Sequence, residues 1–224
     1  MLSKLMHSVG FMALFVSGNL MAAIITQNTS GTSATVLTGF YNGQSVTTIA
    51  GGPWNNIEFS FEQCASPSGT SCLSTTTNTP FALGGLYLLS QIYNGLPSGL
   101  SSSTPGFLAY TNTIVGGFWT FASGVTLSPG TQYFLYMDTA FNGPEVLYST
   151  GNPYAGGQAF EANSGNGPTY GPDDSILVNE DDVFTLEGTP VSGVPEPGTA
   201  LLLAPVVVGL VGAQTLHRRR KSNA

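Results

Sequence analysis

Short apolar-rich runs alternate with polar, Gly- and Pro-containing clusters through most of this chain. Between Ile24 and Pro190 no stretch repeats its apolar positions at the three-to-four spacing of a helix face. In the segment IEFSFE, Ile57, Phe59 and Phe61 fall on one side of an extended backbone and Glu58, Ser60 and Glu62 on the other. That pattern predicts one face in a core and one toward water. Runs rich in Thr, Val, Ile, Tyr and Phe, separated by Gly, Pro, Asn and Ser, predict strands at Val36–Tyr41, Ser45–Ile49, Asn56–Glu62, Leu86–Tyr93, Gly117–Phe121, Gln132–Asp138, Val146–Ser149, Gln158–Ala162 and Asp182–Glu187. Many short strands with such punctuation predict an all-β fold, an antiparallel β-sandwich. No repeat of 20 to 50 residues is evident, which argues against a solenoid or propeller.

Two longer apolar stretches lie at the ends. Lys4 and His7 precede Val9–Val16, followed by Ser17, Gly18, Asn19, Ala22 and Ala23, the order of a secretory signal peptide over residues 1–23. The alternative is an amphipathic first helix of the domain. Gly198 to Leu216 spans 19 residues without a charge, against the ~20 that cross a bilayer core as a helix. Arg218, Arg219, Arg220 and Lys221 follow at once, and positive residues beside a span stay cytoplasmic. The expected layout is a β-sandwich ectodomain at 24–190, a linker at 191–198, one transmembrane helix at 199–216 and a basic cytoplasmic tail at 217–224. A buried core helix is the alternative reading of the apolar stretch.

The linker ends in Val194, Pro195, Glu196, Pro197 and Gly198. These residues, with the apolar stretch and the terminal arginine cluster behind them, resemble the PEP-CTERM sorting signal of Gram-negative bacteria, a tail also described at the ends of some ice-binding proteins. The resemblance covers about 30 residues and implies a partner, an exosortase, that processes the tail near the Pro-Glu-Pro element. It implies delivery to the cell surface or the extracellular polymer matrix and carries no activity of its own. The two prolines donate no backbone hydrogen bond and bias Val194 and Glu196 toward extended conformations, so the motif is expected as an accessible, strand-like peptide. The region from Gly51 to Gly188 is similar to the jelly-roll-like ectodomains of such proteins. In LSPGTQYFLY, Leu127–Tyr136, a Pro-Gly turn precedes a strand carrying Tyr133, which resembles the tyrosine corner of fibronectin type III and related sandwiches.

Charge narrows the chemistry. The chain of 224 residues carries five Lys and Arg against twelve Asp and Glu, and none of the basic residues or histidines lies between Ile24 and Val194. Eleven carboxylates do: Glu58, Glu62, Asp138, Glu145, Glu161, Asp173, Asp174, Glu180, Asp181, Asp182 and Glu187. Nucleic acid, whose binding depends on basic residues displacing counterions, is not an expected partner. Ser-His-Asp, Cys-His and Ser-Lys catalysis lack their base in this region, and phosphoryl transfer lacks its cations.

Carboxylate chemistry survives that test. Glu58 with Glu62, or Asp138 with Glu161, are the candidate glycosidase pairs, against a plain reading as polar-face residues. Asp173, Asp174, Asp181 and Asp182 are candidate oxygen ligands for calcium, with a solvated loop as the alternative. Cys64 and Cys72 enclose seven residues, and in an oxidising compartment the expected state is a disulfide closing a hairpin, worth roughly 2–3 kcal/mol. Trp54, Trp119, Tyr87, Tyr93, Tyr110, Tyr154 and Tyr170 offer flat faces for sugar rings, or else fill the core. Together these observations predict a non-enzymatic surface or extracellular-matrix protein with envelope exopolysaccharide as candidate ligand and no required cofactor. A carboxylate-dependent carbohydrate-active enzyme and a purely structural or adhesive protein are the alternatives.

Overall fold

The computed structural model of the chain describes residues 21–30, 33–34, 40–64, 67–68, 71–72, 75–77, 84–140, 145–150, 152–163, 167–172 and 180–191. In chain order the strands are β1 (Ala23–Asn28), β2 (Ser33–Ala34), β3 (Phe40–Thr47), β4 (Trp54–Cys64), β5 (Pro67–Ser68), β6 (Ser71–Cys72), β7 (Thr75–Thr77), β8 (Leu86–Leu89) and β9 (Phe107–Thr111). They continue with β10 (Ile114–Val115), β11 (Phe118–Thr120), β12 (Gln132–Met137), β13 (Glu145–Thr150), β14 (Ala159–Asn163), β15 (Gly167–Pro172), β16 (Glu180–Asp182) and β17 (Phe184–Pro190). A short 3-10 turn lies at Pro97–Gly99. Every strand pair among the described residues is antiparallel, so the fold is all-β.

The strands form two sheets. The larger runs β1-β17-β4-β13-β2-β6-β5, with β7 and β11 also on β4, β10 on β11 and β16 on β13; the smaller runs β15-β14-β3-β12-β8-β9. The alternation in β4 does what its sequence implies: Ile57, Phe59 and Phe61 are fully buried and meet Val46, Leu86, Leu88, Leu135 and Met137 from the smaller sheet in one core. Phe61 lies edge-on to both Phe59, at 4.9 Å, and Trp119, at 6.0 Å. Each such side chain contributes about 1.5–3 kcal/mol by leaving water, so these strands hold the sheets together.

A second apolar cluster lies on the far side of the smaller sheet. In β12, Tyr133, Leu135 and Met137 point to the shared core, whereas Phe134 and Tyr136 point away and pack with Leu89, Leu100, Phe160, Ala162 and Tyr170. Tyr136 is fully buried there, with its ring 4.6 Å from Tyr170 and 5.5 Å from Phe160. Gly43 makes the packing possible, because a Cβ at that position would stand 2.5 Å from the Tyr136 ring. The segment after β8 closes over this cluster. Tyr93 donates its N–H to the Tyr136 hydroxyl at 3.1 Å, and Tyr170 donates its N–H to the Gly95 carbonyl at 2.9 Å.

Several sequence expectations change. Val36–Tyr41 and Ser45–Ile49 were separate predicted strands, but Phe40–Thr47 is one continuous strand; residues 36–39 lie outside the described residues. The predicted strand Leu86–Tyr93 ends at Leu89, because Ser90 to Tyr93 leave the sheet to cover its outer cluster. Asp182–Glu187 divides at Val183 between β16, which pairs with β13, and β17, which pairs with β1 and β4. Strands β1, β9 and β15, and the short β2, β5, β6, β7 and β10, have no counterpart in the prediction. The tyrosine corner forms: the Ser128 N–H donates to the Tyr133 hydroxyl at 2.8 Å.

The expected signal peptide up to residue 20, the sorting motif Val194–Gly198, the apolar stretch and Arg218–Lys221 lie outside the described residues, as do Asp173 and Asp174. No helix among the described residues is long and apolar enough to cross a membrane.

Candidate functional site

Antiparallel register builds rows of side chains across the outer face of the smaller sheet. Gln132 pairs with Thr47, Phe134 with Ser45, and Tyr136 with Gly43, which in turn pairs with Phe160. The chain entering β14 extends the first two rows. Ser45 donates its N–H to the Gln158 carbonyl at 2.9 Å, and its hydroxyl accepts the Gln158 N–H at 2.9 Å. The Thr47 hydroxyl donates to the Gly156 carbonyl at 2.5 Å.

These rows line a groove of about 490 Å³, within the roughly 300–1,000 Å³ usual for small-ligand sites. Phe134 and Phe160 form its floor, Ala155 to Gln158 one wall, and Gln132 and Ile92 its rim. Gly157 fixes the wall's approach, since a Cβ there would stand 1.8 Å from the Ser45 carbonyl oxygen. Phe134 remains half-buried, Gln132 and Ile92 are exposed, and no charged side chain lines the groove. The hydroxyls of Ser45 and Thr47 are engaged in holding the wall. The side-chain amides of Gln132 and Gln158 make no hydrogen bond with the described residues. Each amide can both donate and accept. The groove therefore offers an apolar ring face and two uncommitted amides.

The aromatic residues singled out from the sequence mostly serve the fold. Trp54, Trp119 and Tyr170 are buried. The Tyr154 hydroxyl accepts from Thr47 N–H at 2.9 Å and Thr26 Oγ1 at 3.0 Å, tying the two sheets together. Tyr87 and Tyr93 are half-buried, and Tyr110, the most exposed of the set, packs against Tyr87 at 4.7 Å. The residues of the groove were missed. QYFLYM, apolar on both faces, signals only that the second face needs a cover; no local signal marks the residues that register brings beside it.

Asp181 and Asp182 are not in a solvated loop. They sit buried in β16 between the sheets. Gln44 donates to Asp181 Oδ1 at 3.2 Å, the Tyr154 N–H donates to Asp181 Oδ2 at 2.9 Å, and Asp182 N–H donates to Gln44 Oε1 at 3.0 Å. Burial pushes the Asp181 carboxyl above its ordinary range, against the two donors, which favour its charged form. Among the described residues no group of three or more His, Cys, Asp and Glu could hold a metal ion.

Neither candidate carboxylate pair is brought together. Glu58 and Glu62 lie four residues apart along one strand, about 13 Å at strand rise. Asp138 Oδ1 accepts the Gly85 N–H at 2.7 Å at the end of β12, whereas Glu161 lies on β14, opposite Asn42 of β3 and two strands from β12. The residue that faces Glu58 is Glu187, directly across from it on β17. Burial, and then the Glu58 charge, hold the Glu187 carboxyl above its ordinary range.

In the hairpin after β4, Cys64 pairs with Thr75 and Cys72 with Pro67. The side chains of both lie outside the described residues. No protein-family model matches the chain, and no curated protein matches it in sequence.

Proposed function

We propose that this chain is a non-enzymatic exported protein of the cell surface or extracellular matrix, whose β-domain binds envelope polysaccharide in the groove beside Phe134. The observation that carries this reading is the groove's chemistry: an aromatic floor and free amides, with no general base or charge among its lining residues. Sugar rings present apolar C–H faces for stacking and hydroxyls for amides to read. The two antiparallel sheets around one core support a jelly-roll-like sandwich as the exported body. The Pro-Glu-Pro element at Pro195–Pro197, the apolar stretch and Arg218–Lys221 support export and exosortase sorting, with the basic end held cytoplasmic.

Two measurements test it. Fractionation of the producing cell should recover the chain at the surface or in the matrix, and loss of the exosortase should leave it in the inner membrane. The purified full chain should retain polysaccharide without releasing reducing ends. Recovery of the chain from cytosol with residues 1–20 intact would contradict export, and failure to retain any polysaccharide would contradict the ligand.

A second reading rests on Glu58 and Glu187. A carboxyl held above its ordinary range beside another carboxylate is the arrangement of a glycosidase acid and its partner. Release of reducing ends, abolished by Glu187→Gln, would favour that enzyme over the binding protein.

A further inference from the structure

We infer that the groove selects neutral polysaccharide over acidic polymers, and that the amides of Gln132 and Gln158 set this specificity. The inference rests on the glycan-binding reading above and names its ligand class.

Three observations carry it. First, none of the groove's side chains is charged, so a uronate, sulfate or phosphate group seated there has no cation to offset the water it loses. Second, the whole interval from Ile24 to Val194 lacks Lys, Arg and His while carrying eleven carboxylates. An acidic polymer is therefore repelled on approach by a field that nothing in the exported body reverses. Third, the committed and free polar groups divide cleanly. Ser45 and Thr47 spend their hydroxyls on the backbone of Gly156 and Gln158, leaving the Gln132 and Gln158 amides for the ligand. A neutral sugar hydroxyl both donates and accepts, as each amide does, whereas a carboxylate only accepts and would leave each amide oxygen unmatched. The half-buried Phe134 ring in the same groove supplies the stacking surface.

The test uses the full chain in detergent against immobilised dextran, a β-glucan and a mannan as neutral probes, and alginate and polygalacturonate as acidic ones. At least one neutral polymer should bind. Its affinity should change less than about twofold between roughly 0.01 M and 0.15 M ionic strength, over which the Debye length shortens from ~30 Å to ~8 Å. The acidic polymers should not be retained. Gln132→Ala and Gln158→Ala should each weaken neutral binding about tenfold, the loss of roughly one good hydrogen bond. Their thermal unfolding should match the parent's, because neither amide holds the fold. Retention of the acidic polymers alone would overturn the neutral selectivity and leave the polysaccharide reading standing. Neutral binding untouched by both substitutions would overturn the roles of Gln132 and Gln158. Retention of no polymer would overturn the polysaccharide reading and this inference with it.

Discussion

The outer faces of the two sheets differ more than their shared inner faces do. On the larger sheet the outward row across β17, β4 and β11 is Glu187, Glu58 and Thr120, polar and acidic. On the smaller sheet the outward residues include Tyr41, Tyr87, Phe134, Tyr136 and Phe160, a largely aromatic set covered in part by the segment after β8. Water is cover enough for the first face. The second needs protein over it, and where Tyr93 and Leu100 no longer cover it, the chain leaves an uncharged groove. The proposed ligand site thus follows from the way a doubly apolar sheet is finished.

The largest effect that would sharpen this contrast is on stability. Tyr136→Ala removes a fully buried ring from the outer cluster and should cost about 3–5 kcal/mol in urea-induced unfolding. Thr185→Ala, on the opposite outer face, should stay within about 0.5 kcal/mol. Equal effects would mean that the outer cluster is not packed as a second core. Next comes Gly157→Ala, whose new methyl meets the Ser45 carbonyl. It should destabilise by about 1–3 kcal/mol and abolish polysaccharide retention by moving the groove wall. Retained binding would separate the ligand site from that wall.

The smallest effect concerns protons. Asp181 and Glu187 both hold their carboxyls above the ordinary range, so the folded state binds protons more tightly than the unfolded chain. Stability should be fullest below ordinary carboxylate values and should decline as pH rises through the raised ones. Glu187→Gln should flatten part of that decline and stabilise the neutral-pH protein by under ~1 kcal/mol, since the pair is partly screened by water. Polysaccharide affinity should not change, because Glu187 lies on the other sheet's outer face. A pH series of thermal unfolding curves checks the first outcome, and retention assays check the second.

Much of the scaffold was legible because its alternation is simple. Ile57, Phe59 and Phe61 announce β4, and the Pro129-Gly130 turn announces the corner at Tyr133. What failed did so for physical reasons. Asn42-Gly43 carries the signature of a hairpin turn, yet here the glycine sits in mid-strand to let the Tyr136 ring lie over it. The acidic pair Asp181 and Asp182 reads as part of a polar loop, because local sequence does not show Gln44 and the Tyr154 N–H arriving from distant strands to satisfy a buried acid. In β15, Gly167, Pro168, Gly171 and Pro172 hide a strand that only its pairing with β14 reveals. The groove was invisible for a related reason: register, not sequence proximity, brings Gln132, Phe134 and Gln158 together.

The central claim is that the uncharged groove on the smaller sheet is where this protein meets its ligand. Hydrogen–deuterium exchange of the full chain, with and without the neutral polysaccharide it retains, tests this most directly. New protection should fall on residues 155–158, on Ile92 and on the start of β12, and leave β4 and β17 unchanged. Protection centred on Glu58 and Glu187, or spread over the larger sheet, would contradict it.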